Sequence, residues 1–221
     1  MRLTHCSVVA AVALVALIGC TKETKVNDAK NNASDDEMFE RYLGKKLSEF
    51  KNRKIYKELN REIIKFIPDD DLTQAIHDFI GLKINQDWEQ DTELVPRLGP
   101  GFSAVYFLSL LDAEVNNGGF YQFFYNCGRD SVVRAKEGAD LLGLGGLSSV
   151  ISEALRIEES EREKIGRVKA EGSLEAFFES YKDISFETAD EAFMALNLDL
   201  YQERVRFIRK CSELFEGRVN E

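Results

Sequence analysis

A chain of 221 residues, 44% hydrophobic and 31% charged, with fifteen phenylalanines and three prolines, has enough apolar area to bury a core in one or two domains. Its formal net charge of -10 sets it against bare nucleic acid and anionic lipid surfaces by like-charge repulsion. With no basic stripe interleaved with aromatics, direct binding of DNA or RNA is set aside.

The first element in the chain is a leader. Arg2 and His5 precede an uncharged run from Val8 to Ile18. Eleven residues are too few to cross a bilayer, which takes about 20, but they match the apolar core of a secretory signal peptide. The run closes on Leu17-Ile18-Gly19-Cys20, which resembles the bacterial lipoprotein signal at every position. The resemblance implies cleavage after residue 19, a diacylglycerol thioether on Cys20 and a further acyl chain on its new amino group. Two or more acyl chains hold a protein stably on a membrane where one does so only marginally. Thr21 stands where inner-membrane lipoproteins often carry Asp, so the resemblance favours the outer membrane. Cleavage removes Arg2 and no acid, leaving 28 basic and 39 acidic residues, a charge of -11. Residues 20–36 hold one large apolar side chain, Val26, too little to offset the entropy of ordering; they read as a flexible tether.

The remainder predicts one all-α domain over residues 37–215. Strand signals are scarce. Met38, Tyr42, Phe50, Leu59 and Ile63 lie along one long or broken helical stretch, with Leu43, Leu47, Ile55 and Phe66 widening its apolar face. Pro68 and Asp69 to Asp71 end that stretch and start a helix through Leu72, Ile76, Phe79 and Ile80. Pro96, Gly99, Pro100 and Gly101 punctuate a loop. From Phe102 to Val115 nearly every position round the helix is apolar, the pattern of a buried central helix. Two more helices follow, Asp130 to Leu142 and Leu147 to Ile157, joined by Leu-Gly-Leu-Gly-Gly, which reads as a helix cap and turn because it follows a helical pattern and lacks dinucleotide-fingerprint spacing. The alternating charges from Glu158 to Glu171 predict a solvated helical face. Ser173 caps a helix carrying Phe177, Phe178 and Tyr181; another starts at Asp190; the last runs from Leu198 to Phe215.

Between the central helix and the next lies Glu-Val-Asn-Asn-Gly-Gly-Phe-Tyr-Gln-Phe-Phe-Tyr-Asn, Glu114 to Asn126. Asn116 and Asn117 tolerate a left-handed backbone, and Gly118 and Gly119 need no Cβ clearance, so the segment predicts a helix stop. The chain restarts as a turn with Phe120, Phe123 and Phe124 or Tyr125 on contacting faces, and Gln122 and Asn126 on one side. Glu114 and the amides are candidates to bond the backbone groups left free at the two helix ends. The segment is then a rigid corner between core helices; the rival reading makes Glu114 a general base among Asn117, Gln122 and Asn126.

After processing, Cys127 and Cys211 remain beside the acylated Cys20. They either form a disulfide that closes a loop of over eighty residues or stay as two buried free thiols. The mature chain has a single histidine, His77, so a zinc site built on several imidazoles is excluded; His77 reads as an ordinary helix residue.

The pattern from Glu114 to Asn126, with Glu114, Asn116, Asn117, Gly118, Gly119, Phe120, Gln122, Phe123, Phe124 and Asn126 in place, resembles the signature of the DNA-mimic-protein-nineteen-like family. The similarity extends over about residues 72–215. It implies an all-α fold, often dimeric, and in one branch an acidic surface that occupies a DNA-binding regulator. It implies no catalytic residue, no metal and no cofactor. The expectation for this chain is a membrane-tethered, non-enzymatic module for a protein partner; an acidic decoy is the alternative, and an enzyme built on Glu114 a further one. Against the decoy stand the 28 basic residues scattered among the acids, since duplex DNA carries one negative charge per about 1.7 Å of axis.

Overall fold

A computed structural model describes residues 32–173, 175, 179, 180 and 183–219. The leader, Cys20 and most of the tether lie outside the described residues, as do Phe177, Phe178 and Tyr181. Among the described residues the fold is all-α apart from one two-residue ladder.

The chain divides into two units, Met1–Ile55 and Tyr56–Glu221, which moves the start of the main domain from residue 37 to 56. The first holds helix α1 (Asn32–Lys51), with Met38, Phe39, Tyr42 and Leu47 exposed. The expected stretch from Met38 to Ile63 is broken. Asn52 turns its amide back onto the Ser48 carbonyl, residues 53–56 are extended or irregular, and Asn60 caps a new helix by accepting the Ile63 N–H at 2.9 Å. Ile55 and Phe66 are exposed rather than part of an apolar face.

The second unit begins with β1 (Glu58–Leu59), paired antiparallel with β2 (Gly217–Arg218), Leu59 opposite Gly217. The domain therefore extends past residue 215, because its last residues tie down its first. Then come α2 (Arg61–Phe66), α3 (Asp69–Lys83), α4 (Asp91–Leu94), α5 (Pro100–Leu141), α6 (Gly145–Glu171), α7 (Glu187–Ala195) and α8 (Leu200–Lys210). Short 3-10 turns stand at Trp88–Gln90, Val95–Leu98 and Ser212–Phe215. The second overlaps the loop expected around Pro96 and Gly99, and the third ends the last helix earlier than Phe215. Acids in the first turn of α3 and bases in the last turn of α8 complement the helix dipole.

The core forms around α5. Phe102 stacks on Phe79 with centroids 5.4 Å apart and meets the edge of Phe215. Tyr106 stacks on Trp88 and meets Phe107 edge-on. Burial of such rings at roughly 25 cal/mol per Å² of apolar surface is the main stabilising term.

Helix α5 does not run straight. Its backbone leaves helical geometry at Gly118, Gly119 and Gly128, so residues 100–117, 120–127 and 129–141 are three helical pieces. The third folds back along the first: a β-carbon on Gly138 would lie 3.1 Å from the Ala104 Cα. The following turn has Gly143 at φ 74° and the Leu144 N–H on the Ala139 carbonyl, a helix cap. Helix α6 then continues unbroken to Glu171, ended by Gly172 in the left-handed region.

Candidate functional site

The signature segment is the first break of α5. The backbone stays helical through Asn116 and Asn117, and the left-handed conformation falls on Gly119, at φ 72° and ψ -178°. This corrects the expectation that the asparagines share it. The reason lies in Asn116, whose amide donates back to the Asp112 carbonyl at 2.7 Å and to its carboxylate at 2.9 Å, holding the last turn shut. Gly119 occupies a region of backbone space that essentially only glycine enters. Asn117 is exposed.

Glu114, 5% exposed, lies one turn before the break. Gln122 Nε2 donates to its Oε2 at 2.9 Å and Asn126 Nδ2 to the same oxygen at 2.8 Å. One carboxylate thus ties the helical piece after the break to the piece before it. Phe120, Tyr121, Phe123 and Phe124 are all buried beneath this tie. Phe120 meets the edge of Phe193, and Phe124 and Tyr121 pack on Phe186.

The free backbone donor at the break is met from elsewhere. Phe120 N–H donates to Asp190 Oδ1 at 2.8 Å, and Asp190 belongs to α7. Neither Glu114 nor the amides bond this group, which corrects the sequence expectation. Asp190 acts here as an N-cap supplied by another helix: it satisfies a donor that the first turn leaves orphaned. Burial raises its pKa, and the bond from Phe120 partly offsets that.

Deeper in, Tyr106 Oη donates to the buried Asp91 at 2.6 Å. Burial, and then the charge and bond of Asp91, hold the Tyr106 hydroxyl protonated. His77 lies across from Ser109, Nε2 to Oγ at 2.9 Å. The Ser109 hydroxyl donates to the Val105 carbonyl, so His77 Nε2–H is the donor to Ser109. Burial first, then the Arg204 charge, lowers the His77 pKa to about 3, and the imidazole is neutral. Arg204 is buried as well, bonded to the Leu108 carbonyl at 3.2 Å and to Asp112 at 3.0 Å. It thereby ties α8 to the same helical piece that carries Glu114.

Cys127 and Cys211 are both free and half-buried. Of the two alternatives left open by the sequence, the structure has the thiols. Burial raises the Cys127 pKa, and Glu114 and Asp91 raise it further, so this sulfur is protonated and a poor nucleophile. Glu158, expected on a solvated face, is buried and paired with both Arg129 and Arg162. Among the described residues no group of three or more His, Cys, Asp or Glu is placed to hold a metal ion, and no helix is long and apolar enough to cross a membrane.

Asp91 and Arg204 carry no local signal in the sequence, and Asp190 almost none. Each partners a group on a distant element, and only an Asp at a helix start hinted at Asp190.

The architecture is an all-α domain wrapped round a central helix that is broken at a Glu-tethered glycine pair. Residues 97–211, which hold this broken helix together with α6, α7 and α8, match the family described as DMP19-like protein. The match covers just over half of the chain, and the chain belongs to that family. No curated protein and no solved structure matches it.

Proposed function

We propose that this protein is an envelope lipoprotein whose folded domain works as a non-enzymatic interaction module for a protein partner. The observation that carries the reading is the use of the signature's polar groups. Glu114 is engaged by Gln122 and Asn126, Asn116 by Asp112, and the Phe120 amide by Asp190. Side chains with this much internal bonding supply shape to a surface; a general base must keep reach to a substrate proton. Family membership supports an interaction role, and the lipoprotein-like ending at Cys20 supports a tether of residues 20–36 between membrane and domain.

The family name also favours a second reading, an acidic decoy for a basic protein. The surface of α6 argues against it. Arg156 pairs with Glu153, Arg162 with Glu159, and Lys164 with Glu161, so these carboxylates alternate with bases and are not ranked as a phosphate backbone.

Photo-crosslinking in intact envelopes tests the proposal. Full-length protein with a photoreactive residue on the exposed face of α6 is expected to give one discrete protein adduct, lost with Cys20→Ala. A domain that yields no adduct, or one unchanged by Cys20→Ala in the soluble fraction, contradicts it. An adduct whose yield collapses with modest added salt favours the decoy.

A further inference from the structure

At the second break of α5 a small cleft of about 180 Å³ opens between Gly128 and α6. Phe124 and Ile165 form its floor, and Arg129, Arg162 and Lys169 stand round it. The two guanidinium groups are fixed by Glu158 beneath and Glu159 outside: Arg129 bonds Glu158 and lies 3.1 Å from Glu159, and Arg162 bonds both. Three cations thus face two carboxylates, leaving a local positive excess on an acidic protein.

Lys169 is the cation left over. Its ammonium donates to the Phe124 carbonyl at 3.1 Å and lies 5.9 Å from the Tyr125 ring. Among the described residues no carboxylate comes within ion-pair distance of it. Of three N–H donors, one is used on the protein. Partial desolvation lowers its pKa, which a bound anion would relieve.

The second observation is Gly166. A glycine inside a helix costs stability relative to alanine, and a packing reason would show as a neighbour in the way. A β-carbon here would meet nothing within 4 Å. The residue lines the cleft, so what its lack of a side chain preserves is the open space of the cleft.

We propose that this cleft binds a carboxylate carried on an apolar stem, with Lys169, and the N–H groups of Arg129 and Arg162 that Glu158 and Glu159 leave over, taking the carboxylate. Phe124, Ile165 and the bare faces of Gly128 and Gly166 take the stem. A charged N–H bonds a carboxylate more strongly than a neutral donor does, and an apolar floor of this size admits a few carbons and no ring system of drug size.

The test follows the Ile165 methyl resonances of detergent-solubilised full-length protein at low salt. N-acetyl-leucinate is expected to shift them saturably, and N-acetyl-leucinamide to bind about tenfold more weakly or less, as the loss of a charge-assisted bond requires. Lys169→Met is expected to weaken binding about tenfold and Lys169→Arg to restore most of it. Gly166→Leu is expected to abolish binding, while Gly166→Ala keeps it and raises the melting temperature. Preference for N-acetyl-leucinate over hexanoate assigns the carboxylate to a peptide chain end, and the reverse order to a free aliphatic acid; either supports the site. The proposal is overturned by equal binding of acid and amide, by inorganic phosphate binding as well as the acid, by unchanged binding in folded Gly166→Leu, or by no saturable shift at all.

Discussion

Asp190 and Phe120, seventy residues apart in sequence, meet at 2.8 Å, carboxylate to backbone amide, at the first break of the central helix. The contact explains how a helix of this length can be broken inside a core. The break frees a buried donor, and a carboxylate from a separate helix accepts it. It also sets α7 against the bend, with Phe193 on the next turn against Phe120.

Asp190→Ala leaves that donor unpaired. The expected cost is about 1–3 kcal/mol, read as a lower midpoint in thermal or urea unfolding. Asp190→Asn keeps an acceptor oxygen and is expected to lose less than half of that. Equal losses for the two variants would show that charge, not the bond, matters at the bend.

The same carboxyl makes stability depend on pH with an unusual sign. Burial raises its pKa in the folded state above the ordinary 3.8, so between the two values the folded protein binds more protons than the unfolded chain, and stability falls as pH rises. Asp190→Asn does not titrate. The stability of the wild type relative to Asp190→Asn is therefore expected to improve as the pH is lowered from neutral towards about 4, the unfolded value. A difference that stays flat or widens in acid contradicts this.

Gly119 and Gly128 share one backbone region, at φ 72° and ψ -178° and at φ 80° and ψ 170°, but not one neighbourhood. A β-carbon at Gly119 would lie 2.5 Å from the Asp190 carboxylate, whereas one at Gly128 would meet nothing within 4 Å. Gly128→Ala is expected to cost backbone strain alone, about 1–3 kcal/mol. Gly119→Ala adds displacement of the cap, for about 2–5 kcal/mol in all. Because the second cost is the cap itself, Asp190→Ala made in the Gly119→Ala background is expected to cost less than it does alone. Additive unfolding free energies would refute that coupling.

Glu114→Ala strips one acceptor from two amides, Gln122 and Asn126. The expected loss is about 1–3 kcal/mol, since the half-buried Gln122 amide loses its acceptor while the exposed Asn126 amide can turn to water. Combining it with Gln122→Ala and Asn126→Ala together is expected to cost less than the sum of the separate effects, measured by the same unfolding midpoints.

Much of this fold was legible because local chemistry decides it. The asparagine-glycine run breaks the helix, and the helical spacing from Phe102 marks the core, since both depend on residues within one or two turns. What escaped needs distance. Asp190 looks like any acid at a helix start until Phe120 is brought to it. Glu158 looks like one more charge in an alternating run until Arg129, at the second break, covers it. The second break itself falls at Gly128, just before the helix start expected at Asp130, but nothing local to Cys127-Gly128-Arg129 says which carboxylate Arg129 meets. The stretch from Met38 to Ile63 shows the opposite failure. Its apolar spacing suits one long or broken helical face, but Asn52 and Asn60 end and restart the chain, and the ladder with Gly217–Arg218 takes Leu59 out of any helix.

The central claim is that the Glu114 bend shapes the domain and performs no chemistry. Its most direct test is the yield of envelope crosslink per folded molecule for Glu114→Gln, with the folded fraction measured by circular dichroism on the same preparation. The amide keeps an acceptor for Gln122 and Asn126 but cannot take a proton as a base. The account predicts a normal yield once corrected for any loss of folded protein. A variant that is fully folded and yet inactive, in crosslinking or in any turnover that the wild type shows, would contradict it.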